Sequence, residues 1–289
     1  MRIALVLVCL SALCLPLPTL AAEAAESGPI RLLVRGDDIG SSHAANVACI
    51  QVCREGIVRS LEVMVPCAWF EEAVVMLNEN PSIDVGIHLT LTSEWEGVKW
   101  RPLTHAPSLV DKDGYFYPRT REWGNAPKGT GFYDANPKRV EVEQELRAQI
   151  ELALKKIKNV THLTGHMGTA TCRPDLAELV ASLGKEYDLA VDTSKLQRFR
   201  SMGSSNDPFE KRLATFLESL DNLGPGTWLL VEHPGLNTPE MQAHGHEGYE
   251  NVAQHRQDVT RLFTDPKVKQ VIQRRGIQLI SYAQLDETD

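Results

Sequence analysis

The stretch Ile30-Arg31-Leu32-Leu33-Val34-Arg35-Gly36-Asp37-Asp38 joins an apolar run to two adjacent carboxylates. A short apolar run of this kind is typical of a buried β-strand. Adjacent strand residues point to opposite faces, so Asp37 and Asp38 can serve one site only where the strand ends and the chain turns. Gly36 and Gly40 flank the pair and permit such a turn. The alternative is that Asp38 caps the helix predicted to follow.

Two further apolar runs end in histidine. They are residues 84–88, ending in His88, and residues 160–166, which contain both His162 and His166. Along an extended strand His162 and His166 would lie roughly 13 Å apart, at about 3.3 Å per residue, so they cannot both bind one ion. Active sites gather at the carboxyl ends of parallel strands. This selects His166 as the ligand and leaves His162 a structural or supporting role.

A fourth run leads into His233 and a Pro-Gly turn. Two histidines and one carboxylate with open coordination suit Zn²⁺, or a harder ion such as Mg²⁺ that keeps more waters. A bound divalent ion lowers the pKa of its water and polarises a carbonyl. The pattern therefore predicts a metal-dependent hydrolase in which Asp37 takes a proton from the water and His233 donates one to the leaving group.

Beyond residue 28, short β-rich runs alternate with longer helical patterns, which predicts a parallel sheet with helices outside it. Seven or so units suit a distorted, closed or nearly closed TIM-like (β/α) barrel, and an open doubly wound sheet is the alternative. We expect one domain over residues 29–289. The predicted strands are Arg31–Val34, Val58–Val65, Asp84–Leu91, Thr161–Gly165, Leu189–Asp192, Trp228–Glu232 and Gln278–Ser281. The predicted helices are Ala45–Glu55, Trp69–Glu79, Pro137–Lys158, Pro174–Glu186, Pro208–Leu220 and Asp265–Arg274.

The first 22 residues have the pattern of a signal peptide. Arg2 precedes an apolar stretch over residues 3–15, followed by two prolines and several small residues. The alternative, an uncleaved membrane anchor, is disfavoured because the apolar stretch is short. We therefore expect export to the periplasm or the cell exterior without a stable membrane anchor. The formal net charge of −8 argues against nucleic acid as a partner, and the sequence leaves homo-oligomerisation open.

The ordered set of segments resembles the ChbG/YdjC-type carbohydrate deacetylases. The resemblance covers nearly the whole chain beyond the leader, and it implies a distorted β/α barrel that removes an acetyl group from an N-acetylated sugar with a divalent metal ion. The matching segments are residues 33–40, 56–60, 70–73, 84–91, 161–166, 233–235, 262–266 and 276–282.

The resemblance also implies roles for single residues. By position, Asp38, His88 and His166 match the metal ligands of the family. Asp37 matches its catalytic base, and His233 matches the histidine of its late His-Pro segment. Export implies polymers, cell-wall fragments or secreted glycans as substrates.

The sequence departs from the family pattern around these residues. Met167-Gly168 follow the last ligand where the family has further histidines, and Thr164 replaces a common Asp. Arg35-Gly36 replace a more usual Asn-Ala. The changes leave the ligands and the base intact but alter the groups that orient them. Two alternatives therefore stay open: a metal-dependent hydrolase of another ester or amide, and a non-catalytic glycan-binding protein on the same barrel.

Two long segments, residues 94–136 and 235–251, interrupt the alternation of strands and helices. Long loops in compact domains are usually lids or binding loops. Aromatic residues in such loops either stack on sugar rings or pin the loop to the body. The candidates for stacking on a substrate are Trp95, Trp100, Tyr115 and Tyr117.

Overall fold

The structure is a computed structural model that describes residues 28–200 and 202–285, so the predicted signal peptide lies outside the described residues. These residues form a parallel sheet with helices packed outside it. The strands are β1 Ile30–Ile39, β2 Ser60–Val63, β3 Asp84–Leu89, β4 Val160–Gly165, β5 Gln197–Arg198, β6 Gly226–Glu232 and β7 Gln278–Ile280. The helices are α1 His43–Arg54, α2 Phe70–Asn78, α3 Arg139–Lys156, α4 Pro174–Glu186, α5 Phe209–Asp221, α6 Val252–Thr264 and α7 Pro266–Arg274.

Strand β1 organises the sheet, because three other strands pair with it. The order across the sheet is β4-β3-β2-β1-β6-β5, and every pairing is parallel. One side of β1 pairs with β6; its other side is shared by β7 at Arg31–Leu33 and by β2 at Arg35–Ile39. Leu32, Leu33 and Val34 are consequently fully buried. The sheet curls into a half-barrel, which confirms the predicted single α/β domain with about seven parallel strands.

The half-barrel stays open on one side, since β4 and β5 are edge strands and do not pair with each other in the described part of the chain. The strand predicted at Leu189–Asp192, which would have followed β4, is wrong. Leu189 instead ends helix α4, donating its backbone N–H to the Gly184 carbonyl at 2.7 Å. The Asp192 carboxylate then accepts the Ser194 N–H at 2.8 Å and turns the chain. Beyond this turn, the short strand Gln197–Arg198 pairs with β6.

The helix ends explain part of the agreement with the predicted elements. Ser42 caps α1 by accepting the Ala45 N–H at 3.0 Å, so Asp38 is free for another role. Pro174 and Pro266 begin α4 and α7, as expected of proline in a first turn. Helix α6 was not predicted, and it carries a residue of the site. Within residues 28–200 and 202–285, no helix is both long and apolar enough to cross a membrane.

Candidate metal centre

The end of β1 turns both adjacent carboxylates toward one space. The pairing register of β1 with β2 shifts between Gly36 and Ile39, and Asp38 has φ = 74°. A left-handed backbone is uncommon for a residue other than glycine and is often found at functional sites. Gly40 follows with φ = 100°, where an added Cβ would lie 2.9 Å from the Met64 carbonyl oxygen. The strand therefore ends in a turn, as the sequence predicted, and Asp37 and Asp38 line the same cavity.

Asp38, His88 and His166 converge at the carboxyl ends of three different segments. One potential ligand atom from each lies within 4.8 Å of the others, and all three residues are buried. Asp38 Oδ1 lies 3.6 Å from His88 Nε2 and 3.5 Å from His166 Nδ1. The structure thus brings together the three residues that the sequence selected, and it leaves His162 outside the group.

These three residues fit a divalent metal ion. Asp38 Oδ1 is buried and has no hydrogen-bond partner in the described part of the chain, which is costly for a carboxylate oxygen unless something binds it. Tetrahedral coordination at about 2.0–2.1 Å separates neighbouring ligand atoms by roughly 3.3 Å, close to the distances seen here. One carboxylate and two imidazoles also leave coordination positions free.

A neighbouring polar group holds the second nitrogen of each histidine. His166 Nε2 donates to Glu94 Oε2 at 2.9 Å, and His88 Nδ1 lies 2.9 Å from Thr164 Oγ1. The Thr164 hydroxyl donates in turn to Glu62 Oε2 at 2.5 Å. Partners of this kind fix the orientation and tautomer of metal-binding histidines.

The Glu62–Thr164 pair determines which nitrogen of His88 is free. Burial alone would raise the pKa of Glu62, but His162 holds it below its ordinary value, so the carboxylate is charged and only accepts. The single hydroxyl hydrogen of Thr164 is therefore donated to Glu62. Thr164 must then accept from His88 Nδ1–H, which leaves the Nε2 lone pair directed at the metal position.

Replacing Thr164 should consequently weaken metal binding. We expect Thr164→Val to lower Zn²⁺ affinity about 10- to 100-fold, because His88 loses the partner that fixes its tautomer. Thr164→Ser keeps the hydroxyl and should bind Zn²⁺ as the wild type does. Zn²⁺ affinity from competition with a chelator and His88 tautomers from ¹⁵N NMR would measure this. Unchanged affinity in folded Thr164→Val would show that the hydroxyl has no such role.

The two histidines have opposite protonation states in the metal-free protein. Burial, together with nearby His166, lowers the pKa of His88 to about 3. Burial also acts to lower the pKa of His166, but Glu94 and Asp38 outweigh it and raise this pKa to about 10. Burial likewise acts to raise the pKa of Asp38, and Arg256 holds it well below its usual range. At neutral pH only His166 carries a proton that a metal must displace.

Metal binding should therefore release one proton. Between pH 5 and pH 9 we expect the affinity for Zn²⁺ to rise about tenfold per pH unit, since His166 Nδ1 must lose its proton before it binds. Calorimetry in buffers of different ionisation enthalpy would count the protons released. Glu94→Gln removes the charge that stabilises the imidazolium and should flatten this dependence above neutral pH. A pH-independent affinity in the wild type would contradict the assignment.

Asp37 lies beside the triad, and an arginine holds it. Arg35 donates to both of its carboxylate oxygens, Nε to Oδ1 and Nη2 to Oδ2, each at 2.7 Å. Arg35 also donates to the Tyr282 hydroxyl at 3.2 Å. Asp37 Oδ2 lies 3.6 Å from His88 Nε2, so the carboxylate is fixed next to the metal position in an orientation set by the guanidinium.

His233 follows β6 and faces the same space as Asp37. Two adjoining cavities, of about 570 Å³ and about 500 Å³, are both lined by Asp37, Met167 and His233. The smaller cavity also contains the Asp38 triad. We call them the sheet-gap cavity and the metal cavity respectively. The structure thus gathers all five predicted chemical residues around one region.

Two buried residues of the site were not predicted. Glu94 begins the long loop after β3 and holds His166. Arg256, from helix α6, donates from Nη2 to Asp38 Oδ2 at 2.7 Å and is buried. Arg256 lies four residues after Val252 in a polar stretch, and no sequence pattern there indicated a site residue. Only the tertiary contact identifies it.

The predicted stacking residues fall in different places. Trp95 lines the metal cavity and stacks on His246, with ring centroids 5.7 Å apart. Trp100 is buried behind His166 and donates from its indole N–H to the Thr92 carbonyl at 2.7 Å. The remaining candidates, Tyr115 and Tyr117, are half-buried and are absent from the lining of both cavities.

Trp123 lies in the same long loop and is 68% exposed. It borders a third cavity that also contacts Met167 and His246. It was not among the residues predicted to stack on a substrate. Its exposure makes it a better candidate for stacking on a sugar ring than the buried Trp100.

A family profile described as "YdjC-like protein" matches residues 31–274. A carbohydrate deacetylase from Thermus thermophilus is 37% identical over 237 residues, which cover 73% of this chain and 80% of that protein. A chitooligosaccharide deacetylase from Yersinia enterocolitica is 28% identical over 267 residues, covering 87% and 98%. A crystallised Enterococcus faecalis V583 protein named for cellobiose-phosphate cleavage shares the fold, with TM-score 0.70, 22% identity and coverage of 89% and 99%.

Proposed function

Since the chain belongs to the YdjC-like protein family, we propose that it is an exported, metal-dependent deacetylase of N-acetylated sugars or oligosaccharides. One observation carries the proposal. Asp38, His88 and His166 form a buried group with an unsatisfied carboxylate oxygen, directly beside a second carboxylate, Asp37. The family relatives named as carbohydrate deacetylases support the type of reaction.

The residues around this group divide the chemistry between them. A divalent ion held by Asp38, His88 and His166 would lower the pKa of a bound water and polarise the acetyl carbonyl. Asp37 would accept the proton of the attacking water. Arg35 donates to both of its oxygens, which keeps the carboxylate oriented.

The departing amine needs a proton, which His233 would supply. His233 lines both cavities with Asp37, so it would approach the scissile bond from the end of a different strand. Trp95 and the exposed Trp123 would contact the sugar rings on the metal-cavity side.

The deciding experiment measures acetate release from a panel of N-acetylated oligosaccharides. The purified protein, lacking residues 1–22, would be tested after chelation and after reloading with Zn²⁺ or Mg²⁺. We expect release only from reloaded protein. Turnover of acetyl esters but not of N-acetyl sugars would replace the proposal with another hydrolase. Sugar binding without any turnover, in protein that holds one ion per chain, would indicate a glycan-binding protein.

A further inference from the structure

The sheet-gap cavity fills the opening of the half-barrel. Its lining comes from both edge strands, with Leu163–Gly165 from β4 and Arg198 from β5. Val191 and Thr193 belong to the irregular segment that replaces a strand between those edges. The missing strand thus creates a cavity of about 570 Å³, within the size range of small-ligand sites.

The polar groups of this cavity donate more than they accept. Among the described residues that line it, Asp37 is the only carboxylate, and both of its oxygens already accept from Arg35. Arg198 is exposed and has no hydrogen-bond or ion-pair partner among residues 28–200 and 202–285. Burial raises the pKa of Tyr282 to about 12, so its hydroxyl keeps its hydrogen at neutral pH. A ligand in this cavity would therefore meet donors and positive charge.

The metal cavity has the opposite charge. Its lining carries four carboxylates against the single guanidinium of Arg256, which suits a cation. The sheet-gap cavity carries two guanidinium groups against one carboxylate. Both cavities share Asp37, Met167 and His233, so a saccharide with one unit in each would extend from a cation-binding region into an anion-binding one.

We propose that the sheet-gap cavity binds an anionic sugar unit adjoining the N-acetylated unit that loses its acetyl group. Arg198 pairs with the carboxylate or sulfate of that unit, and the Thr193 and Tyr282 hydroxyls contact the ring. A planar guanidinium binds either anion through paired N–H donors. The inference rests on the proposed deacetylase function and adds the substrate class: acidic oligosaccharides rather than neutral ones.

Three tetrasaccharides of equal length would test this. They are neutral chitotetraose, a sulfated chitotetraose, and a hyaluronan tetrasaccharide in which N-acetylglucosamine alternates with glucuronic acid. Acetate release by the Zn²⁺-loaded wild type should show a higher kcat/KM for at least one acidic substrate, and which one distinguishes carboxylate from sulfate. Arg198→Gln should lower kcat/KM about tenfold for that substrate, mainly through KM, and leave chitotetraose unaffected.

Arg200→Gln is the matched control. Arg200 is an exposed arginine two residues away that does not line the sheet-gap cavity, so its replacement should preserve the acidic preference. The wild-type preference should also shrink in high salt, because exposed charges are screened. Equal kcat/KM for all three substrates, or an equal loss on neutral and acidic substrates in Arg198→Gln, would overturn the proposal.

A binding measurement keeps this inference separate from the proposed function. The disaccharide of N-acetylglucosamine and glucuronic acid would be titrated by NMR into metal-free wild type, Arg198→Gln and Arg200→Gln. Binding that is lost only in Arg198→Gln would support the acidic subsite even if no substrate is deacetylated. Absence of binding to the wild type would refute the subsite, whereas absence of acetate release from every substrate would refute the deacetylase.

Discussion

Asp37→Asn is expected to abolish deacetylation while the protein keeps its metal. The three ligand residues are untouched by this change, and the amide has nearly the same size as the carboxylate. The amide cannot take the proton of the attacking water, and general-base catalysis by a positioned side chain is worth about 10²- to 10⁴-fold in rate. We therefore expect kcat to fall by this factor, with little change in Zn²⁺ affinity.

Acetate release, Zn²⁺ content and Zn²⁺ affinity would be measured on the same preparation of Asp37→Asn. Asp38→Asn is the contrasting variant, since it alters a ligand and should lose the metal as well as the activity. Asp37→Asn also leaves the Arg35 guanidinium without its anion, so thermal unfolding should confirm that the variant is folded under assay conditions. Activity within a few-fold of the wild type would rule out Asp37 as the base.

The second large effect concerns stability rather than rate. Arg256→Met should destabilise the metal-free protein by about 3–5 kcal/mol, because it removes the guanidinium that donates to the buried Asp38 carboxylate at 2.7 Å. A divalent ion restores a positive charge beside Asp38. Ions that bind only the folded state stabilise it in proportion to their binding free energy, so Zn²⁺ should raise the melting temperature more in Arg256→Met than in the wild type.

Thermal unfolding in chelator would measure the loss of stability of the metal-free protein. Thermal unfolding in Zn²⁺ would measure the rise in melting temperature that the ion causes. Arg261→Met is the control on the same helix, since the Arg261 side chain is 48% exposed and its ion pair with Asp258 contributes little. It should change neither the stability of the metal-free protein by more than about 1 kcal/mol nor the Zn²⁺-induced shift. If Zn²⁺ raises the melting temperature of Arg256→Met only as much as that of the wild type, Arg256 is not electrostatically coupled to the metal position.

The sequence predicted the positions of polar residues well where those residues lie at the end of a strand. Asp38, His88 and His166 each come at the end of an apolar run, and parallel strands bring such ends together. The same reasoning excluded His162, which lies within β4 before the strand ends and pairs with Glu62 at 2.8 Å instead. The fold class and the convergence of these residues were therefore predictable from local patterns.

The groups that tune the site were not predictable in this way. Glu62, Glu94 and Arg256 act through contacts between distant parts of the chain, and Arg256 lies 218 residues from Asp38. No local spacing identifies such a pair. The strand predicted over Leu189–Asp192 is wrong for a different reason: its apolar residues fit the pattern of a strand, whereas Leu189 ends a helix.

The position of β1 has a consequence for biogenesis. The first strand of the described chain lies in the middle of the sheet, and two of its three partners, β6 and β7, begin at Gly226 and Gln278. Contacts between such distant segments are slow to form, since a long loop must close first. An emerging polypeptide therefore cannot complete the sheet beneath the candidate metal centre until Gln278–Ile280 are available. A truncation that stops before Gln278 should yield an aggregation-prone product rather than a smaller enzyme.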